Sequence, residues 1–104
     1  MDFKDNVVIL TGASTGIGEA LAHELAGQGA WLVLAARNAQ KLETVAAECR
    51  ARGGRALVVA TDVTDEDECR ELIERTTAEY GRIDTLINNA GLSMWTKLEN
   101  VKDL

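Results

Sequence analysis

The sequence predicts an α/β protein, a doubly wound parallel sheet of four strands in the order 3-2-1-4 with three helices. Three observations predict it. Short continuous apolar runs alternate with longer stretches of helical period. Glycine or Asx residues punctuate the changeovers. The glycine turn Thr11-Gly12-Ala13-Ser14-Thr15-Gly16-Ile17-Gly18 sits directly after the first apolar run and opens the first helix. A short run that is apolar throughout is how a strand reads when both of its faces are covered. Successive strand–helix–strand units then need right-handed crossovers and a parallel sheet.

Each element follows in order. Val7 to Leu10 is the first strand. From Ile17, the apolar residues Ile17, Ala20, Leu21 and Leu25 keep helical spacing until Gly29 stops the helix. Trp31 to Ala36 is the second strand, and the helix after it carries Leu42, Val45, Ala46 and Cys49 on one face before ending at Gly53-Gly54. Ala56 to Ala60 is the third strand. Thr64 is the expected N-cap of the next helix, with Asp67 three residues on as a capping-box variant. That helix sets Cys69, Leu72, Ile73, Thr76 and Tyr80 on one face and stops at Gly81; Asp84 to Asn88 is the fourth strand. Beyond Gly91 the pattern fades, and Leu98 to Leu104 predicts one or two turns of an incomplete helix. No proline, repeat or linker interrupts the chain, so residues 1–104 read as one domain.

Right-handed crossovers place the first two helices on one face of the sheet and the third on the other. The second face then has a single helix, although Val7 to Leu10 and Leu86-Ile87 read as buried on both sides. The fourth strand is left as an apolar edge. Self-association into a homo-oligomer, or dependence on a partner segment, is the expected consequence.

A net charge of −6 argues against nucleic acid or an anionic membrane as partner and is otherwise a matter of solubility. Much of it lies between Asp62 and Glu79, the solvated face of an acidic helix. The two cysteines, Cys49 and Cys69, fall on apolar helical positions and read as buried thiols in a reducing cytoplasm rather than a disulfide or metal site. Met1 to Asp5 is charged and only four apolar residues follow before Thr11, so a signal or membrane span is not expected and the protein reads as cytoplasmic. His23, the only histidine, falls off the apolar face of its helix and reads as a solvated surface residue, while Trp31 and Trp95 read as packing residues, Trp95 with the alternative of edging a substrate pocket.

A buried strand that breaks into a glycine turn and then opens a helix is the arrangement that binds a dinucleotide pyrophosphate. The helix N-terminus offers unpaired N–H groups and a partial charge of about +0.5. Gly12 allows the sharp reversal out of the strand, Gly16 lets the backbone approach the phosphates, and Gly18 lets the helix pack tightly on the sheet. The hydroxyls of Ser14 and Thr15 fall within reach of phosphate or ribose oxygens, and Ile17 contributes its backbone to the same turn. No Lys-Ser/Thr pair follows the last glycine, which disfavours a triphosphate loop. At the end of the second strand, Ala36 occupies the place where an NAD-selective domain usually carries an acid for the ribose hydroxyl. Arg37 and Asn38 follow, and a guanidinium there suits the 2′-phosphate of NADP(H). The plainer alternative is that Arg37 is a surface residue at the start of the next helix.

The octapeptide resembles the TGxxxGxG turn of the short-chain dehydrogenase/reductase family, and Asn88-Asn89-Ala90-Gly91 resembles its NNAG motif. The resemblance covers nearly the whole chain in order and spacing and implies a Rossmann-type fold. It also implies that Asp62 accepts from the adenine amine and that the backbone N–H of Val63 contacts the ring. Asp62 equally prepares the turn before Thr64, and the two roles are compatible. Asn89 would tie the fourth strand to the first and border the cofactor ribose, with Ala90 and Gly91 passing beneath the nicotinamide side.

In the same family an Asn, a Ser and a Tyr-x-x-x-Lys pair carry the chemistry from a second half. Tyr80 is the only tyrosine here, and Asp84 stands four residues on. Lys97 is preceded at that spacing by Ser93 and Lys102 by Leu98, and Asn88 and Ser93 come too early for the other two roles. Typical members are more than twice as long as this chain. Two readings therefore stand side by side. One is the NADP(H)-binding portion of a short-chain oxidoreductase acting on a carbonyl or alcohol, with no catalytic residue in this chain. The other is a small nucleotide-binding or self-assembling protein without catalysis.

Overall fold

A computed structural model describes residues 3–89. The elements are β1 (Val7–Thr11), α1 (Gly16–Gly27), β2 (Trp31–Ala36), α2 (Ala39–Ala51), β3 (Arg55–Ala60), α3 (Glu66–Tyr80) and β4 (Thr85–Asn88). The four strands form one parallel sheet in the order β3-β2-β1-β4, as the sequence predicts. Val7 pairs with Trp31 and Val8 with Thr85, so β1 is flanked by β2 on one side and β4 on the other. The expected helical turns at Leu98 to Leu104 lie outside the described residues.

Side chains of alternate parity along the strands build two cores. Val8, Leu10, Leu32 and Leu34 pack with Ala22, Leu25 and Ala26 of α1 and with Leu42, Val45, Ala46 and Cys49 of α2. Ile9, Val33, Ala35 and Val59 pack on the opposite face with Cys69 and Leu72 of α3. Two helices on one face and one on the other is the layout that the crossovers predict. All of Val7 to Leu10 is fully buried, whereas Leu86 and Ile87 are half-buried on β4, which among the described residues pairs with β1 alone. Among the described residues the large hydrophobics with high exposure are Ile17 and Ile83.

Three local expectations are corrected. The cap of α3 is Asp65, whose carboxylate accepts from the N–H groups of Asp67 and Glu68, and not Thr64, whose hydroxyl and N–H are both bound to Asp62. The buried stripe of α1 is Gly18, Ala22, Leu25 and Ala26; Ile17 and Ala20 face outward. β4 begins at Thr85, because Asp84 turns its carboxylate back to accept from the N–H of Val7 at 2.8 Å. Glu66, Asp67 and Glu68 crowd the first turn of α3, where the helix dipole favours negative charge.

Candidate cofactor site

Parallel strands bring their carboxyl ends to one rim, and the order reverses at β1. The rim at β1 is thus the switch point where a doubly wound sheet opens a crevice. Thr11 ends β1, and the chain leaves it through Gly12 at φ +65° and Gly16 at φ +56°. A side chain in that left-handed region costs roughly 1–2 kcal/mol. Gly18 serves by size instead. A Cβ there would run into the carbonyl oxygen of Gly12 and lie 2.9 Å from Asn89 Nδ2. The first turn of α1 sits against the end of β1 because residue 18 has no side chain.

The first bond of α1 runs from Glu19 N–H to Thr15 carbonyl at 3.3 Å. The N–H groups of Gly16, Ile17 and Gly18 accordingly have no acceptor within the helix. Thr15 is the N-cap in extended conformation but makes no side-chain cap bond. Ser14 is half-buried and Thr15 exposed, so two hydroxyls border the helix N-terminus. Ile17 is 72% exposed, which places its side chain at the rim rather than in the core. Hydroxyls and helical N–H groups converging on one open turn make an anion-binding arrangement.

The end of β4 is tied to this turn. Asn89 Nδ2 donates to the Gly12 carbonyl at 3.3 Å, and Asn89 N–H donates to Thr11 Oγ1 at 3.0 Å. Thr11 Oγ1 in turn donates to Asn88 Oδ1 at 3.2 Å. Thr11 is fully buried. Its bridging role was missed in the sequence, although a hydroxyl ending an otherwise apolar strand is the signal for it. Ala90 and Gly91 lie outside the described residues.

At the end of β2, Ala36 is half-buried and Arg37 exposed. Asn38 is the N-cap of α2, its Oδ1 accepting from Lys41 N–H at 3.0 Å. Expected as a cofactor contact, Asn38 has its oxygen committed to the helix and keeps its amide nitrogen as a donor. The neighbouring ends of β2 and β3 are joined by Thr61 N–H donating to the Ala36 carbonyl at 2.8 Å. Asp62 Oδ1 accepts from the Thr64 hydroxyl at 2.6 Å and from the Thr64 N–H at 2.9 Å. Those two bonds hold its carboxyl below the ordinary carboxylate range, with the Arg37 charge a lesser contribution in the same direction. The turn role of Asp62 is thus realised, and Arg37 is near enough for its charge to be felt at the same corner. Val63 is half-buried and packs against the α3 core. His23 takes no part at the rim: it is half-buried and bonded to Glu48 of α2 at 2.9 Å, not solvated as expected.

The described residues contain no helix long and apolar enough to cross a membrane. The family model for short chain dehydrogenase matches residues 6–104. The chain is 45% identical over 104 residues to 11-beta-hydroxysteroid dehydrogenase A of Sesamum indicum, covering 99% of this chain and 30% of that relative's length. A metagenomic short-chain oxidoreductase solved in complex with NADP superposes with a TM-score of 0.82 at 40% identity, covering 88% of this chain and 42% of the other. An NADH-dependent reductase complexed with NAD superposes with a TM-score of 0.80 at 34% identity, covering 88% and 38%. The chain thus spans less than half the length of each of these proteins. The family model spans nearly all of a chain that carries this glycine turn and strand order, and this chain belongs to the short-chain dehydrogenase family.

Proposed function

We propose that this chain is the NADP(H)-binding portion of an oxidoreductase that moves a hydride between NADPH and a carbonyl or alcohol substrate. The observation that carries the reading is Arg37, exposed directly after Ala36 at the end of β2, where an acid would instead favour NAD. Its planar donors suit a phosphate monoester, and Asn38 adds an amide donor beside it. The N–H groups of Gly16, Ile17 and Gly18, with the Ser14 and Thr15 hydroxyls, hold the pyrophosphate over Gly12. Asp62 and the Val63 N–H meet the adenine, while Asn89, Ala90 and Gly91 border the nicotinamide ribose. A nicotinamide cofactor is supported by solved relatives that hold NADP or NAD.

The test is a titration of the protein with NADPH and NADH. NADPH should bind more tightly, and Arg37→Ala should erode the difference by about 1.5–3 kcal/mol, one to two decades in affinity. The preference should also weaken with salt. Equal affinity for the two cofactors in the unmodified protein refutes the assignment.

A further inference from the structure

Glu19 and His23 lie one turn apart on α1, so their side chains share a face. Glu48 reaches them from α2, with Oε1 2.9 Å from His23 Nε2. One donor atom from each of the three lies within 4.8 Å of the other two. We propose that Glu19, His23 and Glu48 form an interhelical site for a divalent transition-metal ion, with Zn²⁺ the best fit. None of the three belongs to the dinucleotide rim.

The donor set is the argument. One imidazole and two carboxylates supply three ligands from the zinc repertoire and leave a fourth position for water. The two carboxylates balance the charge of the ion. Zinc bonds of about 2.0–2.2 Å put tetrahedral donors about 3.3 Å apart. The His23–Glu48 pair must therefore open slightly from 2.9 Å, and donors up to 4.8 Å apart must close by rotation of the glutamate side chains. The imidazole disfavours Mg²⁺ and Ca²⁺, which prefer shells built of oxygen.

Two features distinguish this cluster from a scatter of surface charges. His23 and Glu19 face α2 from α1 with side chains 21% and 26% exposed, while Glu48 is 50% exposed, so the fold meets part of the ordering cost for two of the three ligands. The cluster also already draws a cation, since Lys41 Nζ lies 3.6 Å from Glu19 Oε1. A metal ion would displace that ammonium and replace the His23–Glu48 hydrogen bond with two coordinate bonds. It would join the two helices that cover one face of the sheet.

The experiment is calorimetric titration of the protein with ZnCl₂ in a non-chelating buffer, with MgCl₂ as control and thermal melts at each ratio. One equivalent of Zn²⁺ should bind and raise the melting temperature, as any ligand selective for the folded state does. His23→Ala and Glu48→Gln should each weaken binding by about tenfold or more. Lys41→Met should tighten it several-fold, because the competing ammonium is gone. Should His23→Ala fail to fold, His23→Gln keeps a donor for Glu48 and still removes the imidazole. The proposal is overturned by the absence of saturable binding up to millimolar Zn²⁺, by Zn²⁺ affinity unchanged in the folded His23 variant, or by Mg²⁺ binding equally well.

Discussion

Replacing Gly18 with alanine tests the packing on which the whole rim depends. The added Cβ would overlap the Gly12 carbonyl oxygen, lie 2.8 Å from the Gly12 carbonyl carbon and 2.9 Å from Asn89 Nδ2. Two of those three atoms are backbone and have no rotamer to escape into. Either α1 shifts outward or the Gly12 peptide moves, and both strain the 3.3 Å bond from Asn89 to the Gly12 carbonyl. Overpacking of this kind costs about 1–3 kcal/mol, and a lost hydrogen bond about 0.5–1.5 kcal/mol more. Alanine returns up to about 1 kcal/mol in helix propensity. The net expectation is about 1–3 kcal/mol of destabilisation, or roughly 5–20 °C in melting temperature for a domain of this size. Gly27→Ala is the matched control. Gly27 ends the same helix without a positive φ, and a Cβ there meets nothing within 4 Å. That variant should gain about 0.4–1 kcal/mol. Urea unfolding followed by far-UV circular dichroism reads both. If Gly18→Ala is as stable as Gly27→Ala, the close approach of α1 to β1 is not what Gly18 provides.

Purified chain should not turn over any alcohol or carbonyl, because a bound hydride donor without a proton donor forfeits general acid catalysis worth about 10²–10⁴-fold. Stoichiometric oxidation of NADPH with a ketone, free of host reductases, contradicts this. The N–H of Val7 donating to Asp84 holds that carboxyl below its ordinary range, with Arg82 adding to the effect. A depressed folded pKa means that the contribution is complete above the unfolded value of about 3.9 and is lost as pH falls through the lower folded value. Asp84→Asn should therefore flatten the acid limb of a stability–pH profile, and an unchanged limb would assign acid unfolding to other groups. Among the described residues β4 is an edge strand, and self-association through it is the expected outcome, measured by light scattering at micromolar concentration; a cooperative, well-folded monomer there would count against it.

The strand order and the placement of helices on the two faces were legible because they follow from patterns that physics makes nearly unambiguous. A fully apolar run such as Val7 to Leu10 has to be covered on both sides, and parallel crossovers of fixed hand then dictate where the helices lie. The glycine turn was legible for a related reason. Gly12 and Gly16 both adopt positive φ, and few sequences put glycine at such spacing directly after a buried strand without needing that conformation. Thr11 was not legible as a bridge, because its partners, Asn88 and Asn89, stand more than seventy residues away in the chain. Non-local polar pairs leave no periodicity to detect.

Two of the misplaced details share one cause, competition between neighbouring residues for the same job. Thr64 and Asp65 are both good caps, and the sequence alone offers no reason to prefer the second. Asp62 decides it by occupying the hydroxyl and the N–H of Thr64, which leaves Asp65 to accept from Asp67 and Glu68. In α1 the competition is between Ile17 and Gly18. Counting apolar side chains favours Ile17 for the core, yet the stripe that contacts the sheet runs Gly18, Ala22, Leu25 and Ala26. The residue in closest contact is the one with no side chain, so hydrophobicity is the wrong measure at that position. Rotating the helix by one residue is also what turns Ile17 outward to the rim. The packing need of Gly18 and the exposure of Ile17 are thus a single geometric fact, and it is this fact that presents the N–H groups at the start of α1 to the open crevice.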